Sequence, residues 1–250
     1  MSAPDLTYPH DYRLICAGQP PAVVVGGQAV NLWAISYLEP DAEGITTRFG
    51  SGDLDVLAEP ALLERLRHLP GWGYRQNDLR NFLDSRVAFM SSVSSDNRRL
   101  LVEILHGVHG LDRSDLGAVE VVSYDGTEYR LLDPIVMLKA KAANVRDINQ
   151  DGPPPRQDRA HLQLLARCWP PYLRDIHAAA IAQPDKERAA VAVLSRAFKV
   201  LQHRRTAQTL VAEGIRRFSL IPPELADSPL HKIRDAFKWQ APSLSEKDSV

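Results

Sequence analysis

The strand signal in this sequence stops at Leu132, and that change constrains the fold more than any other feature. Before Leu132, short apolar runs such as "AVVV" alternate with stretches of helical spacing, and Asp125-Gly126 is a typical hairpin turn. After it, only helical patterns remain. Strands interleaved with helices and followed by helices alone predict an α+β protein. We expect a mixed-sheet domain at 1–150, a mostly α-helical domain at 151–240 and a disordered polar tail at 241–250.

Prolines divide the helical part of the chain into segments. A helix is predicted to begin at Pro134, in "DPIVMLKAKAANVRDI", and the three prolines of "DGPPPRQ" predict a loop because proline has no backbone N–H to donate. Beyond that loop we expect separate helices in "RQDRAHLQLLARC", "PPYLRDIHAAAIA", "PDKERAAVAVLSRAFKVLQHR" and "RTAQTLVAEGIRRF".

The composition excludes several classes of protein. With 250 residues, 44% of them hydrophobic, the chain can bury a core without disulfides. No apolar run approaches the roughly 20 residues of a membrane span. The first residues lack the basic start and apolar stretch of a secretory signal. Cys16 and Cys168 are isolated, so we expect reduced, packed thiols in a cytoplasmic protein.

Charge is distributed unevenly along the chain. The segment 186–217 contains eight basic and two acidic residues, a net charge of +6 in a chain whose total is −1. Two interpretations are open: this segment faces a polyanion, or it presents a solvated helix face.

A glycine pair follows the first apolar strand. Gly26 and Gly27 end "AVVV" and open a helix, an arrangement that lets backbone N–H groups hold a phosphate closely. The alternative is a tight turn between strand and helix. The sequence contains neither the P-loop pattern nor the glycine pattern of dinucleotide-binding folds, so both of those sites are excluded.

Two aspartates one residue apart form the second motif. On a strand, Asp53 and Asp55 point to the same face. Carboxylate oxygens side by side suit Mg²⁺, which takes one or two carboxylates and keeps several waters. Two such ions about 3.5–4 Å apart can clamp the attacking and leaving oxygens of a phosphoryl transfer. The alternative is a polar strand end at the surface.

The glycine pair and the aspartate pair together resemble the signature of the nucleotidyltransferase superfamily, which has the polymerase-beta-like fold. The sequence is most similar to bacterial abortive-infection and toxin–antitoxin nucleotidyltransferases, with "GG-x-A", an arginine and then "D-[IL]-D-[LFV]". The resemblance extends through "LDPIVMLKAKAANVRD" to "RQDRAHLQLL" and covers roughly Val23 to Leu165. The matching residues are Gly26, Gly27, Ala29, Arg48, Asp53, Leu54, Asp55 and Val56.

The resemblance implies a third carboxylate on a neighbouring strand, which helps to hold the metal and can accept the proton of an incoming hydroxyl. Glu103 in "LLVEILHG" is the first candidate, because a lone charge in an apolar strand is unfavourable unless it is paired or binds a metal. The alternative for Glu103 is a salt bridge to Arg98 or Arg99. Glu120 in "AVEVV" is the second candidate.

Two more residues are expected at the nucleotide. The resemblance implies that Lys139, on the helix after the sheet, neutralises the triphosphate. Lys139 shares a helix face with Arg146, and Lys141 is nearby, so a solvated basic edge is the alternative. Ser51, just before the aspartates, is expected either to donate a hydrogen bond to the γ-phosphate or to shape the turn.

These features lead to one functional expectation and its alternatives. We expect a nucleotidyltransferase that uses two Mg²⁺ ions and transfers a nucleoside monophosphate from a nucleoside triphosphate (NTP) to an acceptor hydroxyl. RNA, in particular tRNA, is the first choice of acceptor, bound through the segment 186–217. The alternatives are a small-molecule or protein acceptor, and a non-catalytic binding module in a toxin–antitoxin or phage-defence pair. The resemblance also implies a cognate antitoxin protein as partner.

Overall fold

The computed structural model describes residues 6–38, 51–77, 85–152 and 155–241. The chain divides into two compact units, Met1–Asp133 and Pro134–Val250. This division follows the last strand, earlier than the predicted boundary at 150, because the helix Pro134–Asp147 packs against helices of the second unit. The predicted tail, apart from Ala241, lies outside the described residues, as does Arg48 of the family pattern.

The first unit contains a seven-stranded mixed sheet, which confirms the α+β class. Its strands are β1 (Val23–Val25), β2 (Leu54–Leu57), β3 (Gly73–Gln76), β4 (Arg86–Val93), β5 (Arg99–Leu105), β6 (Val119–Tyr124) and β7 (Thr127–Leu132). Their order across the sheet is β3-β4-β5-β2-β1-β7-β6. Strand β2 lies at the centre, antiparallel to β1 and parallel to β5. The strand that contains Asp55 is therefore flanked on both sides by other strands of the sheet.

Local sequence signals account for most of these strands. Strand β1 is completely apolar and buried, as expected for a strand covered on both faces. The predicted hairpin joins β6 and β7, and Asp125 and Gly126 both have positive φ, at 48° and 71°, as such a turn requires. Strand β3 was not predicted, because it is a short edge strand with little buried apolar surface.

Among the described residues of the first unit, the helices are short, apart from the one that follows the glycine pair. They are α1 (Arg13–Cys16), α2 (Gly26–Tyr37) and α3 (Pro60–Arg67), with 3-10 turns at Pro9–Tyr12 and Asp115–Gly117. Helix α2 begins directly after β1, and its residues from Gly27 to Ala34 are buried. The predicted succession of apolar strand, glycine pair and helix is confirmed.

The second unit is helical throughout its described residues. Its helices are α4 (Pro134–Asp147), α5 (Asp158–Ala182), α6 (Glu187–Gln202), α7 (Arg204–Ala212) and α8 (His231–Gln240), with 3-10 turns at Pro184–Lys186, Arg217–Leu220 and Pro223–Asp227. None of the described helices combines the length and the apolar character that a membrane crossing requires.

The prediction of two helices in the region of α5 was wrong. Two helices separated at Pro170-Pro171 were expected, but α5 runs through both prolines. Proline inside a helix removes a hydrogen bond, at a cost of about 3 kcal/mol. Burial of the aromatic residues on both sides of the two prolines opposes that loss. Trp169 is fully buried and donates from Nε1 to the Pro134 carbonyl at 2.9 Å, and Tyr172 is also buried. Tertiary packing therefore outweighs the local preference.

Candidate metal centre

Three acidic side chains converge at the centre of the sheet. Asp55 on β2 lies directly beside Glu103 on β5 in the parallel register, and Asp53 immediately precedes β2. One carboxylate oxygen from each residue lies within 4.8 Å of the others. All of them are half-buried, so they remain open to an ion from solvent. The structure therefore brings together the three acids that the sequence singled out.

The apolar residues between these acids explain why they share a face. Leu54 and Val56 on β2 are buried, as are Val102 and Ile104 on β5. Because side chains alternate along a strand, burial of these residues directs the acids to the opposite face. A slip of one residue would exchange the apolar and acidic faces, so the core also holds the register of the acids.

Gly26 touches this acidic group. Val25 pairs with Asp55 across β1 and β2, and a Cβ atom at Gly26 would lie 1.8 Å from Asp55 Oδ2. The φ of Gly26 is +67°, which also favours glycine. Val25, the N-cap residue of α2, offers no side-chain hydrogen bond to the first N–H groups of that helix. The glycine pair and the aspartate pair thus form one continuous site.

Ser51 is held in place from the N-terminal segment. The backbones of Thr7 and Ser51 exchange hydrogen bonds, with Thr7 N–H donating at 2.8 Å and Ser51 N–H at 3.0 Å. The Thr7 hydroxyl also donates to the Ser51 carbonyl at 2.6 Å. The Ser51 hydroxyl lies 3.4 Å from Asp53 Oδ1. Ser51 therefore shapes the turn that carries Asp53, whereas its predicted contact with the γ-phosphate stays a prediction.

Buried polar residues support Thr7 in turn. The Tyr12 hydroxyl donates to Thr7 Oγ1 at 2.9 Å, and Gln28 Nε2 donates to the Thr7 carbonyl at 2.9 Å. Burial raises the pKa of Tyr12 to about 12, and the negative charge of Asp53 contributes to the increase. The sequence patterns do not single out these positioning residues, although a polar Gln28 at the apolar start of a helix is a usable signal.

Glu103 has a cationic neighbour that differs from the predicted ones. Arg86 on β4 places Nη1 3.2 Å from Glu103 Oε1. Arg98, one of the predicted partners, instead pairs with Asp11 at 2.9 Å and with Asp96 at 2.6 Å. Arg99 stands at the exposed start of β5. Arg86 was not singled out from sequence because its approach to Glu103 depends on the pairing of β4 with β5.

Two other candidates lie elsewhere. Glu120 is on the edge strand β6, opposite Leu131, and does not belong to the acidic group found among the described residues. Lys139 is half-buried on α4 of the second unit, and its contact with a triphosphate stays a prediction. The neighbouring Lys141 is buried and pairs with Asp158, with Nζ 2.8 Å from Oδ1. Lys141 therefore does not belong to a solvated basic edge.

The basic segment 186–217 also has a defined arrangement. Its two acids pair with cations of other helices of the second unit, Glu187 with Lys232 at 3.4 Å and Glu213 with Arg159 at 3.3 Å. Arg217 is buried and donates to the Leu201 carbonyl at 3.3 Å, so it is a structural cation. The exposed cations of the segment are Lys186, Arg188, Lys199, Arg204, Arg205 and Arg216.

The geometry of the acids fits magnesium. Oxygens on opposite sides of one Mg²⁺, each at about 2.1 Å, lie about 4.2 Å apart. Oxygens within 4.8 Å of one another therefore need only a small side-chain rotation to share an ion, and their separation also suits a pair of ions.

Comparison of the chain with models of known protein families and with curated proteins finds no match.

Proposed function

We propose that this protein is a magnesium-dependent nucleotidyltransferase that moves a nucleoside monophosphate from an NTP to an acceptor hydroxyl. The observation that carries the proposal is the close approach of Gly26 to Asp55, because it joins a phosphate-binding element to an acidic element. The register of Asp55 with Glu103 supplies the third acid. These are the same elements on which the sequence resemblance rests.

Each residue has a distinct role in the proposed reaction. Asp53, Asp55 and Glu103 would hold Mg²⁺, which would supply Lewis acidity toward the phosphate oxygens when it is bound. The N–H groups at the start of α2, from Gly26 and Gly27, donate to the triphosphate. Glu103 accepts the proton of the acceptor hydroxyl. The hydroxyl oxygen then bonds to the α-phosphorus as the bond to pyrophosphate breaks.

Label transfer tests this proposal directly. The protein is incubated with Mg²⁺, one α-labelled NTP at a time and an acceptor, either total RNA or an RNA-free cell extract, and the labelled products are separated. We expect labelled RNA from the wild type and none from Glu103→Gln. Glu120→Gln is the matched control, because it changes the same residue type on a strand of the same sheet. Absence of transfer with every NTP and acceptor, or equal loss in both variants, contradicts the proposal.

RNA is the proposed acceptor because of the exposed cations of the second unit. Arg188 and Lys199 are separated by about three helical turns, so they lie on one face of α6. Arg204 and Arg205 follow directly at the start of α7. Both acids of the segment are engaged in ion pairs with cations outside it, so the exposed cations give the segment a positively charged surface. Such a surface attracts the phosphate backbone regardless of sequence.

The salt dependence of RNA binding tests this acceptor. Arg204→Ala combined with Arg205→Ala should lower the slope of log K against log salt by about 1.4 to 1.8, since each lost phosphate contact contributes about 0.7 to 0.9. Arg174→Ala is the control, because Arg174 is an exposed cation of the same unit that pairs with Glu224. An unchanged slope in the double variant would exclude this surface and favour a small-molecule or protein acceptor.

A further inference from the structure

Strand β4 contains a bulge beside the acidic group. In the ladder with β5, Ala88 faces Ile104 and Arg86 faces Leu105, with the irregularity between Arg86 and Ala88. Residues two apart normally share a face of a strand, but here the extra residue sends them to opposite faces. Ala88 joins the buried core, whereas Arg86 joins the face that carries Glu103. The bulge is what brings a cation to the acids.

The bulge is held by specific hydrogen bonds. Asn77, which follows β3, donates from Nδ2 to the Arg86 carbonyl at 2.9 Å. The Asn77 backbone N–H donates to the Val87 carbonyl, also at 2.9 Å. The carbonyl groups on either side of the irregularity are therefore both satisfied, which makes the bulge a stable feature of the sheet.

The guanidinium of Arg86 lies close to Glu103 and Phe89. Its Nη1 lies 3.2 Å from Glu103 Oε1, and its Cζ lies 5.0 Å from the centre of the Phe89 ring. Phe89 stands directly opposite Glu103 in the register, so the ring and the carboxylate direct Arg86 to the same point. The Arg86 side chain is 40% exposed, so it can withdraw toward solvent without repacking the core.

We propose that Arg86 is a positioning residue that balances the charge of Glu103 in the metal-free protein and leaves Glu103 when a divalent cation binds. This inference rests on the proposed metal site. Three carboxylates within 4.8 Å repel one another, and Arg86 offsets part of that repulsion. A metal ion at Glu103 has to displace Arg86 and is repelled by it. Arg86 therefore sets the metal affinity, and its removal strengthens metal binding.

Calorimetric titration with Mn²⁺, without any nucleotide, tests this inference. We expect Arg86→Gln to bind Mn²⁺ about three- to tenfold more tightly than the wild type, because a neighbouring positive charge is lost. Arg86→Lys keeps the charge and should stay within about twofold of the wild type. Arg99→Gln is the matched control: it removes a cation from the far end of β5, the strand that carries Glu103, and it should also leave the affinity unchanged.

Thermal unfolding with and without Mn²⁺ provides a second readout. Arg86→Gln should lower the melting temperature of the metal-free protein and increase the stabilisation that Mn²⁺ provides. If Arg86→Gln lowers the melting temperature equally with and without Mn²⁺, and its Mn²⁺ binding is unchanged or weaker, the proposed role of Arg86 is wrong. If the wild type itself shows no Mn²⁺ binding that Asp55→Asn abolishes, the metal site of the proposed function fails as well. The two failures are therefore distinguishable.

Discussion

Substitution of Gly26 by alanine tests the contact on which the candidate site depends. The new Cβ would lie 1.8 Å from Asp55 Oδ2, 2.7 Å from Cγ and 2.9 Å from Cβ. Rotation of the Asp55 side chain can move its oxygens and Cγ but not its Cβ, which is fixed to strand β2. Either β1 and β2 must separate or the start of α2 must shift. In each case the position of the Asp55 carboxylate changes.

The expected destabilisation by Gly26→Ala has two contributions, one from the backbone conformation and one from the steric clash. Gly26 has a φ of +67°, a conformation that costs an L-residue about 1–2 kcal/mol. Overpacking of a tight site typically costs about 1–3 kcal/mol more. We therefore expect Gly26→Ala to destabilise the first unit by about 2–5 kcal/mol, the sum of these ranges.

Substitutions of two other glycines allow the backbone and steric contributions to be measured separately. Gly126 has a φ of +71° but open space around its Cβ position, so Gly126→Ala should show only the backbone part, about 1–2 kcal/mol. Gly52, beside Asp53, has open space and no positive φ, so Gly52→Ala should change stability by less than about 0.5 kcal/mol. Gly52→Ala also shows whether an added methyl group next to Asp53 is by itself enough to alter the site.

Native-state hydrogen exchange at the amides of β1 and β2 measures the opening of this unit without requiring the whole chain to unfold in one step. Mn²⁺ titration of the same variants measures the site. Gly26→Ala should weaken Mn²⁺ binding, whereas Gly126→Ala and Gly52→Ala should retain it. If Gly26→Ala is no more destabilising than Gly126→Ala and binds Mn²⁺ normally, the contact between Gly26 and Asp55 does not organise the site.

Three further predictions concern charge. Asp55→Asn should stabilise the metal-free protein by about 1 kcal/mol, because it relieves repulsion among the acids, and should abolish stabilisation by Mn²⁺ in thermal unfolding; destabilisation without metal would contradict this. Lys141→Met should cost the second unit about 1–3 kcal/mol in denaturant unfolding, since the buried Asp158 loses its buried cation and keeps Arg156 at 2.6 Å, and a second change, Asp158→Leu, should restore most of the loss; a single effect below about 0.5 kcal/mol would contradict this. Burial, with the charge of Lys141, lowers the pKa of His161 to about 3, so this histidine is neutral in the fold but takes up a proton on unfolding below about pH 6.5. Stability should therefore fall by about 1–2 kcal/mol between pH 6.5 and 5, and His161→Leu should remove that dependence; an unchanged pH profile in this variant would contradict the assignment.

The acids of the site were predictable because their signals are local. Asp53 and Asp55 alternate with apolar residues, and Glu103 is a lone charge in an apolar run, so each strand reveals which face its acid occupies. That the two strands are neighbours in register does not follow from either pattern alone. The resemblance to a known family supplied that expectation, and the structure brings Asp55 and Glu103 into register.

The features that escaped prediction depend on contacts between distant segments. The bulge at Arg86 is a defect in the pairing of two strands, so neither strand sequence reveals it. The continuity of α5 through Pro170 depends on the burial of Trp169 against Pro134, which outweighs a correct local rule. In the same way, α4 groups with the second unit because of its packing, although its sequence only indicates a helix that starts at Pro134.

The hydrogen bonds between Thr7 and Ser51 have a consequence for recombination. Strand β2 carries Asp55 and Asp53 immediately precedes it, but the turn before the strand is anchored through Ser51 by Thr7, which lies 44 positions earlier in the chain. A gene exchange that transfers only the acidic strand would import the ligands without the segment that orients them. We therefore expect a designed chimaera of this sheet to keep the orientation of Asp53 only when its N-terminal segment supplies the hydrogen bonds that Thr7 makes to Ser51.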